Sequence, residues 1–439
     1  MQLKKPIGAT LASATCGLLG ALPAAPVAAQ EAPNWEVDSS FLYYGEDAGR
    51  VMDGSLTTSI RRVLDEDRSF TLNLTLDALT GATPNGAVPA NSVQTFTGPS
   101  GAQDYRIAAG DPPLDPNFHD ARVAAAASWQ QALGNSMRWT AGFSGSDEMD
   151  YLHLGVDGRL ERDFNRRNTT VFIGGAYGRD EVSPIGGAPI GLSPMLPSVG
   201  GGEGEGEGDE GGGGAGETKN VIDGLVGVTQ ILSRRALVEL AFSYGKSNGY
   251  LTDPYKILSV VDPVTGRPVP GPVGSGLNLY LHELRPDTRT KQSVFAEFRY
   301  ALDRDSFAVS FRLMDDDWGV TSQTAEARYR WNISADNYLE PHIRYYKQSA
   351  ADFYRTVLFA GAPLPQFASA DYRLADNETY TAGFKFGHRT ERGEYSVRLE
   401  YYHQTAKPSP GSAVGDLAAF DLVPPLNAVI AQFGYKFKF

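Results

Sequence analysis

The feature that most constrains this chain is how it ends. From Ala428 to Phe439 the residues alternate without a break. Val429, Ala431, Phe433, Tyr435, Phe437 and Phe439 share one side, and Gln432, Gly434, Lys436 and Lys438 share the other. Successive side chains of a strand point to opposite faces, so the segment makes a strand with one apolar and one wet face. The same period of two recurs upstream. It is cleanest where Phe70, Leu72, Leu74 and Leu76 alternate with Thr71, Asn73, Thr75 and Asp77. A chain written in this period folds as sheet, and what remains is to say what its apolar faces meet.

The N-terminus is of another kind. Met1-Gln-Leu-Lys-Lys is basic, residues 7–22 are largely apolar, and Val27-Ala28-Ala29 offers small residues for cleavage. Residues 1–29 therefore read as a secretory signal peptide, and residues 30–439 as one exported domain. Cys16, the only cysteine, falls in the leader, so the exported chain has no disulfide and no thiolate chemistry. Net charge is −13, and two units more acidic once Lys4 and Lys5 leave with the leader. That balance argues against nucleic acid as a partner. After the leader no apolar run approaches the ~18 residues of a membrane helix.

The alternating segments number about sixteen, among them Asp120–Leu133 and Trp318–Trp331. Short polar turns such as Gly134-Asn135-Ser136 and Ser233-Arg234-Arg235 join alternate pairs. Long links such as Ala78–Phe118, Gly245–Arg289 and Gln348–Asn377 join the others. Tyrosines (Tyr43-Tyr44, Tyr177, Tyr244, Tyr345-Tyr346, Tyr401-Tyr402) sit where strands reach the long links, and Trp35, Trp139 and Trp331 sit near the short turns. Two aromatic girdles are expected where a barrel meets two membrane interfaces. The expected fold is all-β, an antiparallel transmembrane β-barrel of about sixteen strands. A soluble sandwich or propeller would not segregate its links by length.

This pattern, closed by an aromatic terminal strand, resembles the bacterial outer-membrane β-barrels. The resemblance implies that the barrel-assembly machinery reads the last strand, with Tyr435, Phe437 and Phe439 as the signal, and that this strand closes the barrel against the first. It implies residence in the outer membrane of a Gram-negative bacterium, in contact with outer-membrane lipid and lipopolysaccharide. Porins of this strand number form trimers, so a homo-oligomer stays open.

Several blocks narrow the resemblance. They are Asp77-Ala-Leu-Thr-Gly-Ala-Thr-Pro-Asn-Gly-Ala87, Gln94-Thr-Phe-Thr97, Gly249-Tyr-Leu-Thr-Asp-Pro-Tyr-Lys256, Glu283-Leu-Arg-Pro-Asp287, Asp316-Asp-Trp-Gly319, Ala350-Ala-Asp-Phe-Tyr354 and Asp371-Tyr-Arg-Leu374. In this order they are similar to a family of outer-membrane proteins grouped as domain of unknown function 3570. That resemblance implies a barrel and brings no activity. The Gly/Glu tract at residues 199–217 is foreign to it and too poor in apolar residues to pack, so it reads as a disordered extracellular insert.

Candidate functional residues fall in two places. If Leu339, Pro341, Ile343 and Tyr345 face lipid, then Glu340, His342 and Arg344 face the lumen, together with Glu326, Arg328, Arg330, Lys385, Arg398 and Glu400 on neighbouring strands. Arginine on the lipid face at mid-depth costs ~2–4 kcal/mol, so the alternation is forced. The links supply Tyr250, Asp253, Tyr255 and Lys256 in one motif and Asp315, Asp316, Asp317 and Trp318 in another. They fit a self-folding loop or a ligand platform, and crowded carboxylates can also act as acid and base. The six histidines show no metal-type spacing and no nucleophile elbow occurs, so no catalytic residue, metal or cofactor is expected. Three functions remain: a porin-like pore for small polar or ionic solutes, a closed scaffold binding a ligand or partner through its loops, and an outer-membrane hydrolase.

Overall fold

The computed structural model describes residues 35–97, 104–184, 187–196 and 216–439. The leader lies outside these residues, as does the 199–217 tract except for Gly216 and Glu217, and Glu217 opens a strand. In chain order the strands are β1 (Trp35–Glu46), β2 (Met52–Val63), β3 (Arg68–Pro84), β4 (Gln94–Thr97), β5 (Asp104–Ile107), β6 (Leu114–Leu133), β7 (Met137–Glu148), β8 (Tyr151–Phe164), β9 (Thr169–Val182), β10 (Glu217–Ile231) and β11 (Ala236–Gly249). They continue as β12 (Ile257–Val261), β13 (Tyr280–His282), β14 (Thr288–Ala301), β15 (Ser306–Asp316), β16 (Thr321–Asn332), β17 (Asn337–Gln348), β18 (Val357–Phe359), β19 (Asn377–Thr390), β20 (Gly393–Ala406) and β21 (Leu426–Lys438).

All but β4, β5, β12, β13 and β18 join one closed barrel of 16 strands, each antiparallel to its neighbours. The last strand pairs with the first, from Glu36 opposite Lys438 to Glu46 opposite Ala428. Closure leaves no strand edge unpaired, which is the condition for sheet to cross a bilayer. Phe41, Leu56, Leu74, Val156, Ile173, Leu240, Ile343, Val397 and Phe433 are among the large apolar residues exposed on the outside. A soluble monomer does not display so continuous an apolar surface.

Near the seam the outward rings run together. Tyr395 stacks on Tyr435 at 4.4 Å, Tyr435 on Phe437 at 5.2 Å and Phe437 on Phe439 at 5.7 Å. At the other end the tyrosine pairs are split by strand parity. Tyr43 and Tyr401 are exposed outside, whereas Tyr44 and Tyr402 take the inward positions.

One buried apolar cluster, Phe172, Leu225 and Ala241 with Phe295 against it, lies on the inner face of β9, β10, β11 and β14, and the others gather at the end where the longer connections leave. There those connections fold together as a cap. β13, β12 and β18 form a three-stranded sheet, and β4 pairs with β5. Phe96 packs between Tyr105 and Tyr280, with ring centres 5.4 and 4.8 Å away. A second cluster gathers Leu251, Trp318, Val320, Phe353, Tyr354 and Leu374 from three connections.

Two segments differ from the expectation. The Ala78–Phe118 link is partly strand, because β3 runs to Pro84 and β6 begins at Leu114. Trp318 is not in a strand. The Asp316 carboxylate accepts from the backbone N–H of Trp318 and of Val320, at 3.0 and 2.9 Å, and so bends the chain until Thr321. Gly319 within that bend has φ +81, and a side chain there would strike the Asp352 carboxylate.

Candidate functional site: a charged lumen beneath a cap

Alternation places Glu326, Arg328, Arg330, Glu340, His342, Arg344, Lys385, Arg398 and Glu400 on the inner wall, on the neighbouring strands β16, β17, β19 and β20. Their charges pair along the wall. His342 is the hub, with Nδ1 2.8 Å from Glu400 and Nε2 3.4 Å from Glu326. Arg328 pairs with Glu326 at 2.7 Å, Arg398 with Glu400 at 3.0 Å, and Arg330 with Glu340 at 2.7 Å. Lys385 lies 3.8 Å from Glu394. Toward the short-turn end Tyr338 is fully buried, with the Arg330 guanidinium 4.2 Å from its ring centre and its hydroxyl donating to Glu394 at 2.5 Å. Arg328 nevertheless keeps 43% of its side chain exposed, and Arg344 is exposed as well.

The facing sector is of a different kind. On β3 and β6 to β10 small and hydroxylic inner positions, with Arg122, Asp157 and Asp223 among them, line a recess of about 350 Å³. Asn73, Thr75, Ser128, Thr140 and Ser144 contribute polar groups, while Ala124, Ala126 and Ala176 keep it open. The Asp157 carboxylate lies over Gly142, where any side chain would collide with it. At the cap end of the recess His153 Nδ1 is 2.6 Å from Asp180 and its Nε2 is 3.4 Å from Ser144 Oγ. Asp180 is also held by Tyr151 at 2.5 Å and Lys219 at 2.7 Å, so its role is to tie three strand ends together.

Between lumen and cap lies a row of inward tyrosines. Tyr44, Tyr346 and Tyr402 each donate a hydroxyl to an acceptor two residues on, to Glu46 at 2.9 Å and to Gln348 and Gln404 at 2.6 Å. Above them the cap is held by buried ions. Asp371, at 1% exposure, receives Arg285 at 2.9 Å and Arg373 at 2.5 Å. Arg285 also pairs with Glu283 at 2.6 Å, and Arg373 with Asp253 at 3.2 Å. Burial alone would raise the Asp371 carboxyl, but the Arg373 and Arg285 guanidiniums outweigh it and hold it far below the usual carboxylate range.

The loop candidates are built into this cap. Asp253 accepts from Tyr255 N at 3.1 Å, and its own N–H donates to Glu283 at 2.6 Å. The Tyr255 hydroxyl donates to Asp150 at 2.7 Å, and buried Lys256 donates to the Pro84 carbonyl. The Tyr250 hydroxyl is buried without a hydrogen-bond partner among the described residues. Asp315, Asp316 and Asp317 diverge. Asp316 binds Arg289 at 2.8 Å, Asp317 accepts from Thr290 N at 2.8 Å, and Asp315 lies on the outer surface. Trp318 packs edge-on against Phe353 at 5.0 Å and donates its indole N–H to the Thr288 carbonyl at 2.7 Å. The structure thus places Asp253 of the first motif in the buried ion cluster, ties Tyr255 and Lys256 to other connections, and sends the three aspartates to separate places.

Sequence reasoning missed much of the inner wall. Arg138, Asp157, Arg159, Glu161, Glu297 and Arg299 belong to it, with Arg159 2.7 Å from Glu161. Their signal was available, because each alternates with an outward apolar residue. Glu283, Arg285, Asp371 and Arg373 had no periodic signal, although they lie in quoted motifs. Among the described residues no group of three or more His, Cys, Asp or Glu side chains is placed to hold a metal ion.

Comparison with known proteins adds a family. The family described as "Protein of unknown function (DUF3570)" matches residues 8–437. No curated protein matches. Among solved structures the chain is similar to a ferric enterobactin receptor of Pseudomonas aeruginosa, at 10% identity and TM-score 0.40, covering 86% of this chain and 54% of that one. It is similar to a siderophore receptor of Acinetobacter baumannii, at 8% identity and TM-score 0.41, covering 86% and 54%. It is also similar to a bacterial polysaccharide outer membrane secretin, at 10% identity and TM-score 0.42, covering 93% and 100%. The chain spans about half the length of the two receptors. At these scores the likeness carries no argument about function.

Proposed function

Because the chain belongs to this family, whose description names no activity, we propose its role from the geometry: an outer-membrane barrel that passes small polar or ionic solutes. The supporting observation is that Arg328 and Arg344 face the interior and are still exposed. An interior packed with side chains would have buried them, so the lumen holds water. A solute beneath the cap would meet an ion-paired wall around His342 on one side and hydroxyls with Asp157 on the other. That arrangement orients a dipolar solute as it diffuses. Single-channel conductance of the purified protein in a planar bilayer tests the reading. Steady open steps support it, and a folded but silent barrel overturns it.

A second reading has its own support. The cap carries separate sheets, apolar clusters and a buried ion core, which is more structure than a passive pore needs. A silent barrel would select this reading, in which the cap presents a binding surface for a ligand or partner. In both, the cap faces outward from the cell, and Tyr435, Phe437 and Phe439 serve the assembly machinery.

A further inference from the structure

The outer wall carries a feature that a solute pathway does not use. Along β16 the outward positions are Thr321, Gln323, Ala325 and Ala327, followed by the exposed rings of Tyr329 and Trp331. The flanking strands carry larger side chains in register. Phe311 and Val309 lie beside Ala325 and Ala327 on β15, and Tyr345 and Ile343 lie beside them on β17. Alanines at 296 and 382 widen the depression beyond those ridges. The result is a trough whose floor is one strand wide, set within a shallower apolar hollow of about 770 Å³ that spreads from Val238 on β11 to Tyr380 on β19.

The same trough changes character toward the cap. Its upper part is a second hollow of about 570 Å³ where Gln292, Asp315, Thr321, Gln323, Lys347 and Asp376 join the apolar Phe242, Val294 and Leu313. From Thr321 to Ala327 it runs about 20 Å, at ~3.3 Å per strand residue, and Tyr329 closes its foot. The ridge strands stand about 10 Å apart, which leaves room for one hydrocarbon chain. Lys347 is already held by Glu378 at 2.6 Å. The polar half therefore offers amides, a hydroxyl and carboxylates, a set suited to the hydroxyl and amide groups of a sugar headgroup.

We propose that this trough is a specific site for one saccharide-headed lipid of the leaflet at the cap end, with an acyl chain over Ala325 and Ala327 and the headgroup among Gln292, Thr321, Gln323 and Asp315. The proposal rests on the membrane-barrel reading. A second copy of the barrel presents a broad, bulky wall, which meets the Phe311 and Tyr345 ridges before it reaches the trough floor. An amphiphile matches both the width of the trough and its division into apolar and polar halves.

The test is native mass spectrometry of the protein purified in detergent and incubated with lipid A or with phosphatidylethanolamine. Heat-modifiable gel mobility reports the folded barrel independently. One lipid A retained per barrel is expected, with retention falling at least tenfold in the double variant Ala325→Trp, Ala327→Phe. Both substitutions point outward, so the variant keeps its mobility shift. Ala141→Trp, on the opposite outer wall, leaves retention unchanged. Equal retention by the filled variant, or equal retention of phosphatidylethanolamine, would reduce the trough to ordinary lipid contact and overturn the proposal. A dimer that the filled variant dissolves would overturn it in favour of a copy interface. A chain without the mobility shift would overturn the barrel reading and the site with it.

Discussion

Asp371 shows how single residues hold the cap. Two arginines from different connections converge on a carboxylate with 1% exposure, and Glu283 and Asp253 balance their charges. Removing one partner of such a pair leaves a buried charge uncompensated, at a cost of about 3–5 kcal/mol. Asp371→Asn is therefore expected to open the cap while leaving the barrel folded, read as faster amide exchange at Ser369–Leu374 with unchanged gel mobility. If exchange there stays at its wild-type rate, the ion core does not hold the cap. The sign of the pH dependence follows from two groups. The Asp371 carboxyl is held well below its ordinary 3.8, so its contribution is present above that value and is lost as pH falls below it. His282 lies in the cap sheet, where burial lowers it from 6.5, so its neutral form is favoured and acidification below 6.5 begins to penalise the fold. Protease resistance of the cap should thus fall in two stages on acidification. His282→Gln removes the upper stage, and a single-stage profile in the wild type would refute this assignment. Trp318→Ala removes the ring packed on Phe353 and the bond to Thr288, a loss of about 3–5 kcal/mol measurable in the same exchange experiment.

At the level of elements the sequence was a good guide to the barrel and a poor one to the cap, for one physical reason. A strand with lipid outside and water inside must alternate, so Phe41, Leu74, Leu240 and Phe433 disclose their strands without reference to any partner. The inward charges from Glu326 to Glu400 follow by parity, although parity says nothing of which will pair. The cap obeys no such period. Arg285 meets Asp371 across 86 residues of chain, and Asn91 meets Asp416 across 325, contacts that no local pattern encodes. Trp318 marks the boundary between the two regimes. Its number gives it the inward parity of Glu326 and Arg328 on β16, but the Asp316 side chain captures the backbone there and turns it, so the ring packs in the cap instead. The closing strand carries a prediction of its own. Its outward rings form one stack from Tyr395 to Phe439 across the β20–β21 ladder. Replacing Phe437 and Phe439 by alanine removes the end of that stack, and should slow assembly into membranes several-fold with little change in the final barrel. Unchanged kinetics of the heat-modifiable form would remove the assembly role from these residues.

For the molecule as a whole, the question is whether the wet interior conducts, and the charge on its wall makes the answer measurable. Within the His342 network, Glu326 and Glu400 are already bonded to His342, Arg328 and Arg398. The wall therefore offers a solute the exposed guanidiniums of Arg328 and Arg344 more than it offers carboxylate. The recess opposite supplies the Asp157 and Asp223 carboxylates among hydroxyls, while its Asp180 is paired with Lys219. A permeating ion passes between these two, near enough that bulk salt screens them incompletely, since the Debye length at physiological salt is about 8 Å. Arg344→Glu combined with Arg328→Glu inverts the exposed charge on one wall while the acid on the other stays. The reversal potential across a salt gradient should then move toward cation preference, and Asp157→Asn should move it the opposite way. The two shifts must have opposite sign, and each should shrink as salt is raised. A pore in which neither substitution moves the potential has its selective step elsewhere, at the tyrosine row of Tyr44, Tyr346 and Tyr402. In that event hydroxyl and ring geometry, rather than charge, would choose the solute.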